Sequence, residues 1–265
     1  MNNKKYKLLD ISLEAMAKGS FNLLIAKGDS GMGKTHNILK FIKEKEIDYS
    51  YIKTYSTPLK FYELLYRNKD TGMIVFDDLS NIGDQKILGM LKSACWSVLG
   101  EDREVNYYTT SNIFKKLKIP EKFKMKASIV LIFNDVISDF KPIVNRGIDI
   151  DFNFTFSEKL SIFEGLKGDD GIDEEIIEYI NKSCSEATKN LSIRSLVILS
   201  DIKRKGFDWN IFANEILKVD KDIQLLLDVV SKHPKLEKAC DEWMGKTGKS
   251  RATFMRRIRK INENN

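Results

Sequence analysis

The sequence predicts an α/β fold: a parallel sheet of about five strands around a phosphate-binding loop, then an α-helical lid, then a small all-α helix-turn-helix module. Three observations predict it. First, Gly28-Asp29-Ser30-Gly31-Met32-Gly33-Lys34-Thr35 fits G-x-x-x-x-G-K-[ST]. It stands between a short apolar run, Phe21 to Ala26, and a stretch of helical apolar spacing, Asn37 to Ile42. Second, two more apolar runs end in polar groups: Met73–Phe76 in Asp77-Asp78, and Ile129–Phe133 in Asn134. Strands buried on both faces of a parallel sheet read as such runs, and functional groups gather at their carboxyl ends. Third, beyond Phe154 the apolar residues recur only at helical spacing.

Composition bounds the answer. At 265 residues the chain suits one large domain or two smaller ones, and 42% hydrophobic residues suffice for a core. No apolar run reaches 18 residues and the start, Met1 to Tyr6, is not a secretory leader, so no membrane association is expected. Cys95, Cys184 and Cys240 are scattered and form no C-x-x-C, which argues for a reducing cytoplasm and against a disulfide framework or a zinc site. His36 and His233 are the only histidines, so His-based metal or triad chemistry is not expected. From Lys232 onward there are ten Lys/Arg against four Asp/Glu, so the whole net charge of +6 resides in the tail. That is an electrostatic footprint suited to nucleic acid.

In order, the chain opens with a short helix around Ser12–Ala17, ended near Gly19; Tyr6, Leu8 and Ile11 read as core. The first strand, the phosphate loop and its helix follow. The glycines let backbone N–H groups turn onto phosphate oxygens, and the helix N-terminus adds partial positive charge. Lys34 is placed to reach the β- and γ-phosphates of ATP, and Thr35 to put its hydroxyl on Mg²⁺. Asp48–Lys53 alternates as a strand. Thr57 caps a helix that has Pro58 at its first position and runs through Leu65. Met73–Asp77 is the next buried strand; Asp77 would hold Mg²⁺ through water and Asp78 would orient or deprotonate the attacking water. A helix spans about Asp84 to Leu99, and Arg103–Ser111 is β-rich. Lys115, Lys116 and Lys118 make a basic connection before the third buried strand, Ser128–Phe133.

A Walker A loop, a Walker B strand ending in two acids, and an apolar strand ending in Asn resemble the AAA+ ATPases. Within them the pattern is similar to ATPases of phages and plasmids, and more loosely to the superfamily III helicases, which carry a basic hairpin before the sensor strand. The resemblance implies that Asn134 is the sensor 1 residue. It also implies that Arg146, in Lys141–Ile150, is an arginine finger reaching a neighbouring subunit, with Ile148, Ile150 and Phe152 in the fifth strand. The second Walker B acid, Asp78, departs from the usual Glu.

Further on, Ser157-Glu158 caps a helix through Leu166, Asp173 starts another through Cys184, and a third starts at Asn190. These resemble the AAA+ lid, and Arg194 matches its sensor 2 position. In the tail, Pro234 breaks one helix, Leu236–Met244 is a second, and Lys246–Lys249 is a turn. Ser250 caps a basic helix whose Phe254, Ile258 and Ile261 face inward. Lys249, Arg251, Thr253, Arg256, Arg257 and Lys260 are then free to meet DNA.

The expected organisation is an ATPase core over 1–154, a lid over 155–220 and a DNA-binding module over 221–265. The expected activity is ATP hydrolysis coupled to DNA in mobile-element replication. It would be carried out by a homo-oligomeric ring or spiral, hexamer-like, in the (host) cytoplasm. Two alternatives stand beside a motor: an ATP-gated regulator that assembles on DNA without unwinding it, and a nucleotide-dependent scaffold.

Overall fold

The computed structural model describes residues 3–53, 56–79, 83–96, 102–109, 116–134, 141–168, 171–186, 188–218 and 221–263. The chain divides between Asn153 and Phe154 into two compact units.

The first unit runs α1 (Lys4–Ala17), β1 (Leu23–Lys27), α2 (Lys34–Glu44), β2 (Tyr49–Ile52), α3 (Pro58–Arg67), β3 (Met73–Asp77) and α4 (Gln85–Cys95). It continues with β4 (Glu104–Asn106), β5 (Lys122–Lys124), β6 (Ser128–Ile132), α5 (Lys141–Val144) and β7 (Ile148–Asp151). Five strands form one parallel sheet in the order β2-β3-β6-β1-β7. Every residue of β3 and β6 is buried, as is β1 up to Ala26, which is why these segments read as unbroken apolar runs. The register decides what meets what. Ala26 and Asp77 both pair with Ile132, so β1, β3 and β6 end level on one edge, the edge that carries the phosphate loop. The antiparallel ribbon β4–β5 pairs Val105 with Phe123; both are buried, and Phe123 packs against Tyr62 and Tyr66.

The second unit is helical: α6 (Phe156–Glu164), α7 (Glu174–Ser183), α8 (Ile193–Arg204), α9 (Trp209–Leu217), α10 (Lys221–Lys232), α11 (Leu236–Thr247) and α12 (Arg251–Glu263). The last three share their own core, with Leu226, Val229, Ala239, Cys240, Trp243 and Phe254 buried together and Ile258 packed against them. Gly248 ends α11 at φ 68, a conformation glycine adopts without strain, and Ser250 Oγ accepts from the Thr253 N–H at 3.3 Å to start α12. No helix among the described residues is long and apolar enough to cross a membrane.

Several local expectations change. The first helix begins at Lys4, because Asn3 caps it by accepting from the Lys5 N–H at 2.9 Å. Its inward stripe includes Ser12, whereas Leu8 and Ile11 are exposed and do not join the core. The helix after Walker B stops at Cys95 with Trp96 extended, and residues 97–101 lie outside the described part. Among the described residues of the β-rich run, Glu104–Asn106 is strand. Phe152 follows the last strand instead of lying in it. Thr155, not Ser157, caps α6, through a capping box with Glu158. Helix α9 is an addition to the expected elements: its Ile211 and Phe212 are exposed, so apolar spacing does not mark its buried face.

Candidate active site

The loop between β1 and α2 is shaped by three glycines at positive φ: Gly28 (116°), Gly31 (75°) and Gly33 (78°). Gly28 is also fixed by space, because a Cβ there would stand 2.7 Å from the backbone of Phe152 and Asn153. Tyr6, from α1, donates its hydroxyl to the Met32 carbonyl at 2.6 Å and holds the loop from the other side.

Lys34 opens α2 and is buried. Its Nζ donates to the carbonyls of Gly28 (2.7 Å) and Asp29 (2.9 Å) and to Asn134 Oδ1 (3.3 Å). The ammonium is thus arched back over the loop. Asn134, two residues past the end of β6, turns its Nδ2 to both oxygens of Asp78, at 2.9 and 3.1 Å. Asp78 leaves β3 in the left-handed region, φ 54, and its N–H bonds the Ile132 carbonyl. Asp adopts that conformation more readily than most residues. One amide therefore links the loop lysine to the second Walker B acid.

Asp77 is buried at the end of β3. Its Oδ2 accepts from Thr35 Oγ1 at 3.2 Å and from the Tyr51 hydroxyl at 2.6 Å. Burial, and then the bond to Asp77, push the Tyr51 phenol up to about 12, so it remains a donor. Thr35 hydroxyl beside Asp77 carboxylate is a set of hard oxygen donors, which fits Mg²⁺. Tyr51 is not evident in the sequence because its partner is 26 residues away and is reached only through β2–β3 pairing. The same holds for Lys27 and Asp149, which form a half-buried ion pair at 2.5 Å between β1 and β7.

Arg146 lies elsewhere. It is half-buried just before β7, whose first residue pairs with Leu24, near the start of β1. A Cβ at Gly147 would stand 2.1 Å from the Leu23 carbonyl oxygen. Arg146 is therefore at the sheet edge opposite the phosphate loop, with the length of β1, about 13 Å at 3.3 Å per strand residue, between the two edges. Arg194 is the second residue of α8, behind the N-cap Ser192, and is exposed in the helical unit.

The cations of the tail are not equivalent. Lys249 and Arg257 both bond Asp222 Oδ2, the latter at 3.3 Å. Arg257 also lies over the Trp243 ring, 5.9 Å from its centroid, and Trp243 Nε1 donates to the Asp222 carbonyl at 2.8 Å. These two side chains bind the helices together and are not free for DNA as expected. Thr253 is half-buried against Ser250 Oγ at 3.1 Å. Arg251 makes a long, exposed pair with Glu237 at 3.8 Å. Arg256 and Arg259 are exposed and, among the described residues, in no ion pair. Arg259 is an addition to the expected DNA-facing set. The side chains of Lys260 and Ile261, and all of Lys115, lie outside the described part. Lys116 and Lys118, in a helical turn before β5, are exposed, while Lys122 and Lys124 on β5 and Lys126 just after it pair with Glu104 (3.7 Å), Asp102 (2.6 Å) and Asp70 (3.4 Å).

No family model matches the chain, and no curated protein sequence matches it. Solved structures do. The RuvB Holliday junction branch migration motor of Thermotoga maritima superposes with a TM-score of 0.52 at 15% identity, over 96% of this chain and 84% of that one. A single-substitution variant of that RuvB gives 0.54 at 16% identity over the same shares. At this identity the likeness speaks to architecture alone: the chain has the α/β fold of the AAA+ P-loop ATPases, with a helical region after the sheet.

Proposed function

We propose that the protein is a DNA-associated AAA+ ATPase that works as a head-to-tail homo-oligomer and couples ATP hydrolysis to remodelling or translocation of DNA, in the replication of a phage- or plasmid-type element. The convergence of Lys34, Thr35, Asp77, Asp78 and Asn134 at one sheet edge carries this reading. Lys34 leaves its loop carbonyls for the β- and γ-phosphate oxygens. Thr35 and Asp77 would hold Mg²⁺, which when bound neutralises charge on the β- and γ-phosphates. Asp78 and Asn134 place a water in line with the γ-phosphorus, and Asp78 takes its proton as the new O–P bond forms and ADP leaves.

Asp78→Asn is expected to bind ATP as the wild type does and to lose hydrolysis by about 10²–10⁴-fold, the usual contribution of a general base. Nucleotide binding and single-turnover hydrolysis measured on the same preparation check this. Hydrolysis at the wild-type rate would remove Asp78 from the role of base.

For DNA, the reading is that α11, the Gly248 turn and α12 form a helix-turn-helix. Its exposed face, with Arg256 and Arg259, meets duplex phosphates, and the segment 155–220 acts as the lid. Truncation after Ser231 is expected to weaken duplex binding and flatten its salt dependence while basal ATPase survives. The log–log salt slope should fall by roughly 0.9 for each phosphate that the protein no longer neutralises. Arg256→Ala and Arg259→Ala should each reproduce one such step; Arg257→Ala should lower thermal stability instead. A truncated chain with unchanged affinity and slope leaves only a solvated basic helix.

One observation favours the alternative of an ATP-gated DNA-binding regulator that does not unwind. Lys122, Lys124 and Lys126, on β5 and just after it, already pair with acids, which leaves Lys116 and Lys118, in the helical turn before β5, as the lysines of residues 116–126 in no ion pair among the described residues. Replacing those two should uncouple ATPase from single-stranded DNA in a motor and leave a regulator unaffected.

A further inference from the structure

We infer that Tyr51 is a positioning residue for the divalent cation, acting through Asp77; this rests on the nucleotide-site reading above. Tyr51 is the third residue of the edge strand β2, in register with Val75, two residues before Asp77. The residue is 41% exposed, and its hydroxyl reaches past the end of the strand to Asp77 Oδ2 at 2.6 Å. That length belongs to a charge-assisted O–H···O⁻ bond, roughly twice as strong as one between neutral groups.

The same oxygen accepts from Thr35 Oγ1. Oδ2 is therefore claimed by two hydroxyls, one from the helix after the phosphate loop and one from the sheet edge. Together they fix the torsion of the carboxylate and leave Oδ1 as the oxygen turned to other partners. Mg²⁺ demands near-octahedral geometry and keeps several of its waters, so the orientation of an acid that binds through water decides how well the cation seats. Thr35 alone cannot fix that orientation, because its hydroxyl is itself a ligand for the cation. The Tyr51 hydroxyl has no such second duty and stays on Oδ2 throughout. Partners of this kind, one step removed from a metal, typically change its affinity by about 10–100-fold when removed.

A surface tyrosine that merely satisfies a carboxylate would behave differently. Removing its hydroxyl would cost general stability or nothing, with no selectivity for metal. The test uses the full chain and Tyr51→Phe, which keeps the ring and removes one oxygen. Binding of a fluorescent ATP analogue is titrated with Mg²⁺, and its affinity is measured separately in EDTA, with thermal unfolding followed in parallel. The expected result is a Mg²⁺ midpoint raised by about tenfold or more, with affinity in EDTA unchanged and the chain still folded at the temperature of the titration. An unchanged Mg²⁺ midpoint overturns the inference, and so does an equal loss of affinity in EDTA. A wild-type chain that binds the analogue with no Mg²⁺ effect overturns the metal site itself, and is told apart from those outcomes because it needs no variant.

Discussion

Lys34→Ala is expected to reduce ATP affinity by about a hundredfold or more and to abolish ATP turnover. Two charged hydrogen bonds to phosphate, each contributing about 1.5–3 kcal/mol, set that scale. The ammonium is buried and already held over the loop by the Gly28 and Asp29 carbonyls, so little ordering remains to be done when phosphate arrives. Deleting it also removes the link from α2 to Asn134, and through it to Asp78. The measurement is equilibrium binding of ATP by calorimetry beside a turnover assay, with circular dichroism to confirm the fold. Binding within about threefold of wild type would mean that backbone N–H groups alone hold the phosphates.

Arg146→Ala is expected to leave ATP affinity nearly intact and to cut turnover about a thousandfold or more, the scale of an arginine finger. The affinity part follows from distance: Arg146 sits at the opposite sheet edge from its own phosphate loop. It can act on a γ-phosphate only when a second copy presents one, and a head-to-tail arrangement of that kind closes into a ring or runs on as a spiral. Mixing Arg146→Ala with Lys34→Ala chains should therefore recover part of the activity, since each copy supplies what its neighbour lacks. Absence of recovery in a mixture shown to co-assemble would assign Arg146 a purely structural role.

The nucleotide loop and the five strands of the sheet are legible because their causes are local. Glycines permit positive φ, burial on both faces demands unbroken apolar runs in β1, β3 and β6, and the edge strands β2 and β7 show as alternation. What stays hidden depends on pairing between distant segments. Tyr51 and Asp77 meet through strand register, and Lys27 and Asp149 are 122 positions apart. The bracing role of Arg257 is invisible in the sequence because a basic residue on a basic helix gives no sign of an acid two helices earlier. The start of α1 is hidden for a different reason. Its inward stripe contains a serine and its outward face two aliphatic residues, so the apolar period that marks most helices is blurred there.

The phosphate loop is braced like a truss. Gly28 abuts the backbone of Phe152 and Asn153 with no side chain between them to serve as a cushion. Phe152 meets Tyr6 edge-on, with ring centroids 5.5 Å apart, and Tyr6 returns to the loop through the Met32 carbonyl. The Lys5 ammonium adds a strut to the Asn153 carbonyl. Both abutments of the loop thus come from opposite extremes of the first unit's sequence. On the proposed reading, the loop that would grip phosphate has its stiffness set by the two ends of that unit, and cutting back either would slacken it.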